Sequence, residues 1–265
     1  MQHIPRKRFG QNFLHDDSVI QRIVTVINPR PDQHIVEIGP GKGALTQHLL
    51  RETGSLDVVE LDRDLIPVLE RVCTGLGELR IHGADALRFD FSALAADGRP
   101  LRVVGNLPYN ISTPLLFHLI DQIGCVQDMH FMLQKEVVER MAALPGGKDY
   151  GRLSVMIQYY CAVELLFIVG PGAFTPAPKV DSAIVRLIPH VSPLVHVANQ
   201  ANFARLVKQA FSQRRKTLRN TLKGLLSEEQ IRAQGIDPAL RAETLSLEDF
   251  ARLSNVLDTN PGLRP

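Results

Sequence analysis

The sequence holds no tryptophan, only 3 cysteines in 265 residues, and no unbroken apolar run of membrane-spanning length. A membrane helix needs about 18 or more largely apolar residues in a row, so no membrane partner is expected. Cys73, Cys125 and Cys161 lie far apart, are odd in number and lack metal-ligand spacing. They read as small buried hydrophobes in a reducing compartment, with no metal site. The segment from Met1 to Phe13 is basic and polar, without the apolar centre of a secretory leader. A cytoplasmic location is the expectation. Internal repeats and low-complexity tracts are also missing, and the absent tryptophan decides nothing.

What is present is ordinary globular composition, 45% hydrophobic and 22% charged. That is enough for one large core and a small second domain. Short apolar runs alternate with amphipathic stretches. Strands are expected at 34–38, 56–60, 79–82, 101–105 and 128–133, with helices between them and another over 151–160. Runs at 165–169 and 182–188 are too close for a helical crossover and predict an antiparallel pair at one edge. The pattern predicts an α/β chain with a mostly parallel, doubly wound, Rossmann-like sheet. Pro189-His190-Val191-Ser192-Pro193 reads as a linker. Residues 1–192 are thus assigned to the sheet domain and 193–265 to a small all-helical domain.

Net charge is only +2, but unevenly spread. From Asn199 onward there are 11 Lys/Arg against 7 Asp/Glu, and the segment from Asn199 to Lys223 has seven basic residues and no acid. Apolar Phe203, Leu206, Val207, Ala210, Phe211, Leu218, Leu222 and Leu225 keep helical spacing, broken near Ser212. Arg205, Lys208, Arg215, Lys216, Arg219 and Lys223 fall on the opposite face. Arg6, Lys7 and Arg8 form a second basic cluster. Both fit a polyanion footprint; a solvated helix face is the alternative.

Two motifs carry chemistry. The first is Glu37-Ile38-Gly39-Pro40-Gly41-Lys42-Gly43-Ala44, where a strand meets a helix. Glycines there allow positive φ and close approach of a ligand. Glu60, at the end of the next strand, suits a ribose diol; Asp62 is a rival for that role. This much fits either a dinucleotide or S-adenosylmethionine. The G-x-G-x-G spacing favours the latter, as does Asp85, placed to accept from an adenine amine. A turn or helix cap is the plainer role for Asp85. The second motif is Asn106-Leu107-Pro108-Tyr109, which closes the fourth strand. Pro108 holds Leu107 extended. The Asn106 side chain and the Leu107 carbonyl then offer two acceptors to an exocyclic amine, and Tyr109 offers a face for a base. An Asn-Pro turn is the plain alternative.

Taken together, these motifs resemble the S-adenosylmethionine-dependent N6-adenine methyltransferases. Lys7-Arg8-Phe9-Gly10-Gln11-Asn12-Phe13-Leu14 and Phe174-Thr175-Pro176-Ala177-Pro178-Lys179-Val180-Asp181-Ser182 are similar to segments of the ribosomal RNA adenine dimethylases within that group. Gln213-Arg214-Arg215-Lys216-Thr217-Leu218-Arg219-Asn220 resembles the basic helix of the bacterial small-subunit type. The likeness runs from about Arg6 to the end. It implies dimethylation of two adjacent adenosines near the 3′ end of 16S ribosomal RNA, within an immature 30S subunit, by a monomer. It also implies that Asn12 and Leu14 join Gly39, Glu60, Asp85 and Asn106 in holding the cofactor, and that Phe174 packs on the target base opposite Tyr109. Core packing is the plain role for Leu14 and Phe174. Arg6, Lys7, Arg8, Arg214, Arg215, Lys216, Arg219 and Lys223 are the expected RNA contacts. A large-subunit dimethylase of the resistance type and an assembly factor with little catalysis are the other readings.

Overall fold

The computed structural model describes residues 12–258; Arg6, Lys7 and Arg8 lie outside them. The strands are β1 (Phe13–Leu14), β2 (His34–Ile38), β3 (Ser55–Val59), β4 (Glu78–His82), β5 (Leu101–Asn106), β6 (Val126–Gln134), β7 (Cys161–Val169), β8 (Phe174–Thr175) and β9 (Ser182–Pro189). Helices α1 (Asp17–Ile27), α2 (Thr46–Thr53), α3 (Ile66–Cys73), α4 (Ser112–Asp121), α5 (Lys135–Ala142) and α6 (Arg152–Tyr160) alternate with them. Four more follow: α7 (Gln200–Ala210), α8 (Leu218–Thr221), α9 (Glu228–Ala233) and α10 (Leu247–Asp258).

Seven strands form one sheet in the order β4-β3-β2-β5-β6-β9-β7. The pairs β3–β4, β2–β3, β2–β5 and β5–β6 are parallel. β9 enters antiparallel beside β6, with Met132 opposite Ile184. The strand order reverses direction at β2, so a crevice opens where β2 and β5 end.

Strand composition follows from double-sided burial. All five residues of β2 are buried, as are the first five of β5, and parallel strands covered on both faces read as continuous apolar runs. Ile35, Leu56, Val58, Val104, Met132 and Ile184 share a core cluster with Ile20, Ile23 and Ile27 of α1 and Leu49 and Leu50 of α2. Each such side chain contributes roughly 1.5–3 kcal/mol by leaving water. α1 starts where the Asp16 carboxylate accepts from the Ser18 and Val19 amides, and ends at Asn28 in the left-handed region.

The chain divides into two compact units. One runs up to Val138 and includes Val163–Pro189; the other is Glu139–Ala162 with the chain from His190 onward. The expected boundary after residue 192 sits close to the Pro189/His190 division. The segment 139–162, assigned by sequence to the sheet domain, groups instead with the second unit. Tertiary packing explains it: Tyr159 of α6 stacks against Phe203 at 4.7 Å, and Tyr150 meets Phe211 at 6.2 Å. In that unit α7 stops at Ala210, where Ser212–Lys216 form an exposed non-helical connection to α8. Phe203, Leu206, Val207, Ala210, Leu218, Leu222 and Leu225 are buried as the spacing predicts.

Candidate active site

Four polar groups follow the sheet order. Asp85 comes after β4, Glu60 after β3, Gly39 after β2, and Asn106 ends β5. Because β4, β3, β2 and β5 are neighbours, spaced ~4.8 Å apart, these groups form a row along one edge of the sheet. They line a cavity of about 350 Å³ together with Asn12, Leu14, Leu107 and Tyr109. Residues expected at the site from five separate stretches of sequence are thereby brought together.

Local sequence explains the shape. Gly41 has φ 59 and its amide donates to Glu60 Oε2 at 3.2 Å. A Cβ there would lie 3.2 Å from the Phe13 ring, so the glycine lets the N-terminal strand settle on the loop. A Cβ on Gly105 would meet the Ile38 carbonyl at 2.5 Å. Only glycine lets the end of β5 come this close to the end of β2.

Glu60 is 6% exposed, and its other oxygen accepts from the Asp62 amide at 2.8 Å. Burial raises its pKa, opposed by those amide hydrogen bonds. Asp62 is buried and is not on the cavity wall, so of the two carboxylates Glu60 is the one that lines the cavity. Asp85 makes the turn contact, its Oδ1 accepting from the Leu87 amide at 3.0 Å, and it also lines the cavity.

At the other end, the Asn106 Nδ2 donates to the Asn12 carbonyl at 3.1 Å. The Leu107 amide donates to the Met132 carbonyl at 3.2 Å, and the Tyr109 hydroxyl hydrogen-bonds Ser182 Oγ at 2.9 Å. The loop is therefore tied to β6 and β9.

Phe174 is placed differently from the expectation. It is 3% exposed, absent from the cavity wall, and part of the core cluster. The reason is β8, which pairs antiparallel with β1 and sets Leu14 opposite Phe174. Leu14 joins both the cavity and the core. In the second unit, Arg214, Arg215, Lys216, Arg219 and Lys223 are all exposed. Arg214 is held by the Lys148 carbonyl at 2.5 Å.

Sequence reasoning passed over Glu37, Lys42, His130 and Ser182. Lys42 Nζ lies 4.6 Å from the centre of the Phe13 ring, and both residues line the cavity. His130 is buried on the wall with neither ring nitrogen hydrogen-bonded, and burial lowers its pKa to about 4, so it is neutral at neutral pH. Glu37 carried a readable signal: a carboxylate inside an otherwise apolar strand.

The donor set selects the ligand. Glu37, Glu60 and Asp85 face the cavity, and among the described residues Lys42 is the single Lys or Arg on its wall. Three carboxyl groups suit a nucleoside that brings amines, a diol and positive charge. S-adenosylmethionine brings all three. Among the described residues, no group of three or more His, Cys, Asp or Glu is placed to hold a metal ion.

A parallel sheet with one antiparallel strand inserted near its edge, and a nucleoside-type site along its strand ends, define a Rossmann-like S-adenosylmethionine-dependent methyltransferase. Over residues 2–259 the sequence matches the family described as ribosomal RNA adenine dimethylase, and the chain belongs to that family. A "Ribosomal RNA small subunit methyltransferase A" of Pseudomonas fluorescens is 60% identical over 261 residues, covering 98% of this chain and 96% of that protein. One of the same description from Nitrosococcus oceani is 61% identical over 252 residues, covering 95% and 96%. Among solved structures, a dimethyladenosine transferase from Plasmodium falciparum superposes with TM-score 0.77 at 26% identity, covering 93% of this chain and 98% of that one. The 23S rRNA methyltransferase ErmE gives 0.70 at 26% identity, covering 93% and 100%. As a member of the family, the protein is a ribosomal RNA adenine dimethyltransferase that uses S-adenosylmethionine.

Proposed function

We propose that the protein methylates N6 of two adjacent adenosines near the 3′ end of 16S ribosomal RNA, acting on an immature 30S particle as a cytoplasmic monomer. Small-subunit RNA is favoured over 23S RNA by sequence. Identity is 59–61% to small-subunit enzymes and 26% to ErmE. Overall fold similarity alone would not separate the two.

One observation carries the site assignment. Asn106 and Tyr109 share a cavity wall with Glu60 and Asp85, so an amine acceptor, a stacking face and a nucleoside site lie in one chamber. Glu60 holds the ribose diol and Asp85 the adenine amine of the cofactor, with Gly39, Asn12 and Leu14 completing its walls. When bound, S-adenosylmethionine supplies a methyl group already activated on a sulfonium.

The protein's part is placement. An adenine N6 is a poor nucleophile because its lone pair is spread into the ring. Oδ1 of Asn106 and the Leu107 carbonyl accept its two hydrogens and hold them out of the ring plane, restoring the lone pair. Positioning of this kind contributes roughly 7–11 kcal/mol. The Tyr109 ring, fixed by its hydroxyl contact with Ser182, stacks the unstacked base for about 1–3 kcal/mol. Phe174 reaches the base only if the β1–β8 ladder opens, so its part is to hold Leu14 on the wall. RNA is gripped through Arg215, Lys216, Arg219 and Lys223, with Arg6, Lys7 and Arg8 as a second contact.

Labelled S-adenosylmethionine, offered with immature 30S particles, naked 16S RNA or 23S RNA, tests the reading. Label should map to two neighbouring adenosines in the 30S sample. Label in 23S RNA alone would overturn the substrate assignment.

A further inference from the structure

A dimethylase places two methyl groups on one nitrogen, and the second transfer meets a difficulty the first does not. In each transfer N6 bonds to the methyl carbon as the S–C bond breaks. The electron pair of that bond stays on sulfur, and one N6 proton leaves to water. In the first transfer N6 offers two hydrogens to the Asn106 Oδ1 and Leu107 carbonyl acceptors. In the second it carries one hydrogen and one methyl. For the lone pair to face the sulfonium again, the first methyl must turn into the place of a hydrogen. A methyl carbon stands about 3.3–3.6 Å from an oxygen, where a hydrogen-bonded nitrogen stands at about 2.9 Å. One side of the amine therefore needs extra room, and that room must be apolar.

The two sides differ. Leu107 is pinned, because its amide donates to the Met132 carbonyl at 3.2 Å. Asn106 instead stands in a row across the sheet. It lies opposite Met132 of β6, and Met132 lies opposite Ile184 of β9. Opposed residues on strands ~4.8 Å apart point to the same face, so the Asn106 amide is flanked by the Met132 thioether chain and then by Ile184. All three line the cavity together with Leu14. Met132, Ile184 and Leu14 belong to one buried apolar cluster. Along its face of β6, Met132 falls between the polar His130 and Gln134, so the apolar gap comes opposite Asn106. Ser182, two residues before Ile184 on β9, holds the Tyr109 hydroxyl at 2.9 Å. The Tyr109 side chain thus reaches from the end of β5 to β9.

We propose that Met132, backed by Ile184, receives the first methyl, and is a specificity-determining residue that carries the reaction on to dimethyladenosine. This rests on the amine-orienting reading of Asn106 and extends it. An unbranched, polarizable thioether chain yields to a group of this size. With the methyl against Met132, the remaining hydrogen stays on the Leu107 carbonyl. Tyr109, anchored at Ser182, keeps the base from shifting to make the room itself.

A time course with the full-length protein and immature 30S particles tests this. Digestion and mass spectrometry of the nucleosides separate adenosine, N6-methyladenosine and N6,N6-dimethyladenosine, and so give the rate of each transfer. Met132→Phe fills the space, and Ile184→Met extends an unbranched chain into it at nearly constant volume. Each should lower the ratio of second to first rate, by about tenfold or more for Met132→Phe, so that the monomethyl product accumulates. Met132→Leu, which conserves volume, should keep the ratio. A merely structural disturbance would slow both transfers alike and weaken S-adenosylmethionine binding in calorimetry, which the proposal leaves unaltered.

An unchanged ratio in Ile184→Met would overturn the proposal, even if Met132→Phe did not fold. An equal fall in Met132→Leu would overturn it too, since room is not what that variant removes. Asn106→Ala separates the two layers. If its first transfer is slow while the filling variants keep the wild-type ratio, only the methyl site is lost. If its rates are near normal, the amine-orienting reading itself is wrong.

Discussion

The side-chain amide of Asn106 donates to the backbone carbonyl of Asn12 at 3.1 Å, joining positions 94 residues apart. One amide hydrogen is thereby spent on the N-terminal segment, and Oδ1 is turned away from it as an acceptor. The residue proposed to orient the substrate amine also ties the segment bearing Phe13 and Leu14 to the end of β5.

Asn106→Ala should therefore do two things. Single-turnover methylation should fall at least ~10²-fold, because the lost contact acts on transition-state geometry. Cofactor affinity should fall by about 1 kcal/mol, the worth of one hydrogen bond. Near-normal rates with an unchanged circular dichroism spectrum would show that Asn106 does not orient the amine.

Glu60→Ala should weaken cofactor binding by about 1.5–3 kcal/mol in calorimetry. Glu60→Gln should not rescue it. Both oxygens already accept backbone amides, from Gly41 and Asp62, so a glutamine NH2 would face a donor. Full affinity in the glutamine variant would remove Glu60 from the site.

Asp57 is the centre of a buried charge cluster. It is 1% exposed and bonded to His34 at 2.9 Å, Arg80 at 2.8 Å and His82 at 2.8 Å. Burial pushes its pKa up, but the hydrogen bonds from Arg80, His82 and His34 outweigh it and bring it to about 2. A folded value below the ordinary value of about 3.9 means that the stabilisation is complete above that ordinary value. It is lost as pH falls through 2. Asp57→Asn should cost about 3–5 kcal/mol at pH 7. The gap to wild type should close as pH falls toward 2 in urea titrations. A gap independent of pH would mean packing, not charge, is what the substitution removes.

Arg215, Lys216 and Arg219 are exposed on the connection and helix after α7. If about four or five groups of this stretch neutralise phosphates, log affinity for RNA should fall against log salt with a slope near −3 to −4. Changing all three to Glu should flatten that slope and leave cofactor affinity unchanged. Arg214 is left out because the Lys148 carbonyl already holds it. Filter binding across a salt series reads the result, and an unchanged slope would reduce the basic face to a solvated surface.

Strand positions, the glycine loop and the residues along the strand ends were legible because they depend on nearby sequence. Apolar runs set which segments are covered on both faces, and parallel strands must end where their helices begin. Once β2 to β5 are parallel neighbours, Glu60, Asp85 and Asn106 share an edge. Helix α1 is equally local in origin, with Asp16 as its cap and helical spacing of the buried Ile20, Ile23 and Ile27. Pairing between distant segments is another matter. Nothing local in Phe174-Thr175 says that it pairs with Phe13-Leu14, and that pairing is what buries Phe174 in the core. The segment 139–162 looks like a continuation of the sheet's alternation, and only contacts such as Tyr159 with Phe203 assign it to the helical unit. Glu37 shows the division most plainly. The sequence by itself placed a carboxylate in an apolar strand beside a glycine loop. Tertiary structure alone decided that, among the described residues, no donor reaches its Oε2 and that Glu60 stands close, because burial and charge proximity are sums over neighbours that the chain brings together only on folding.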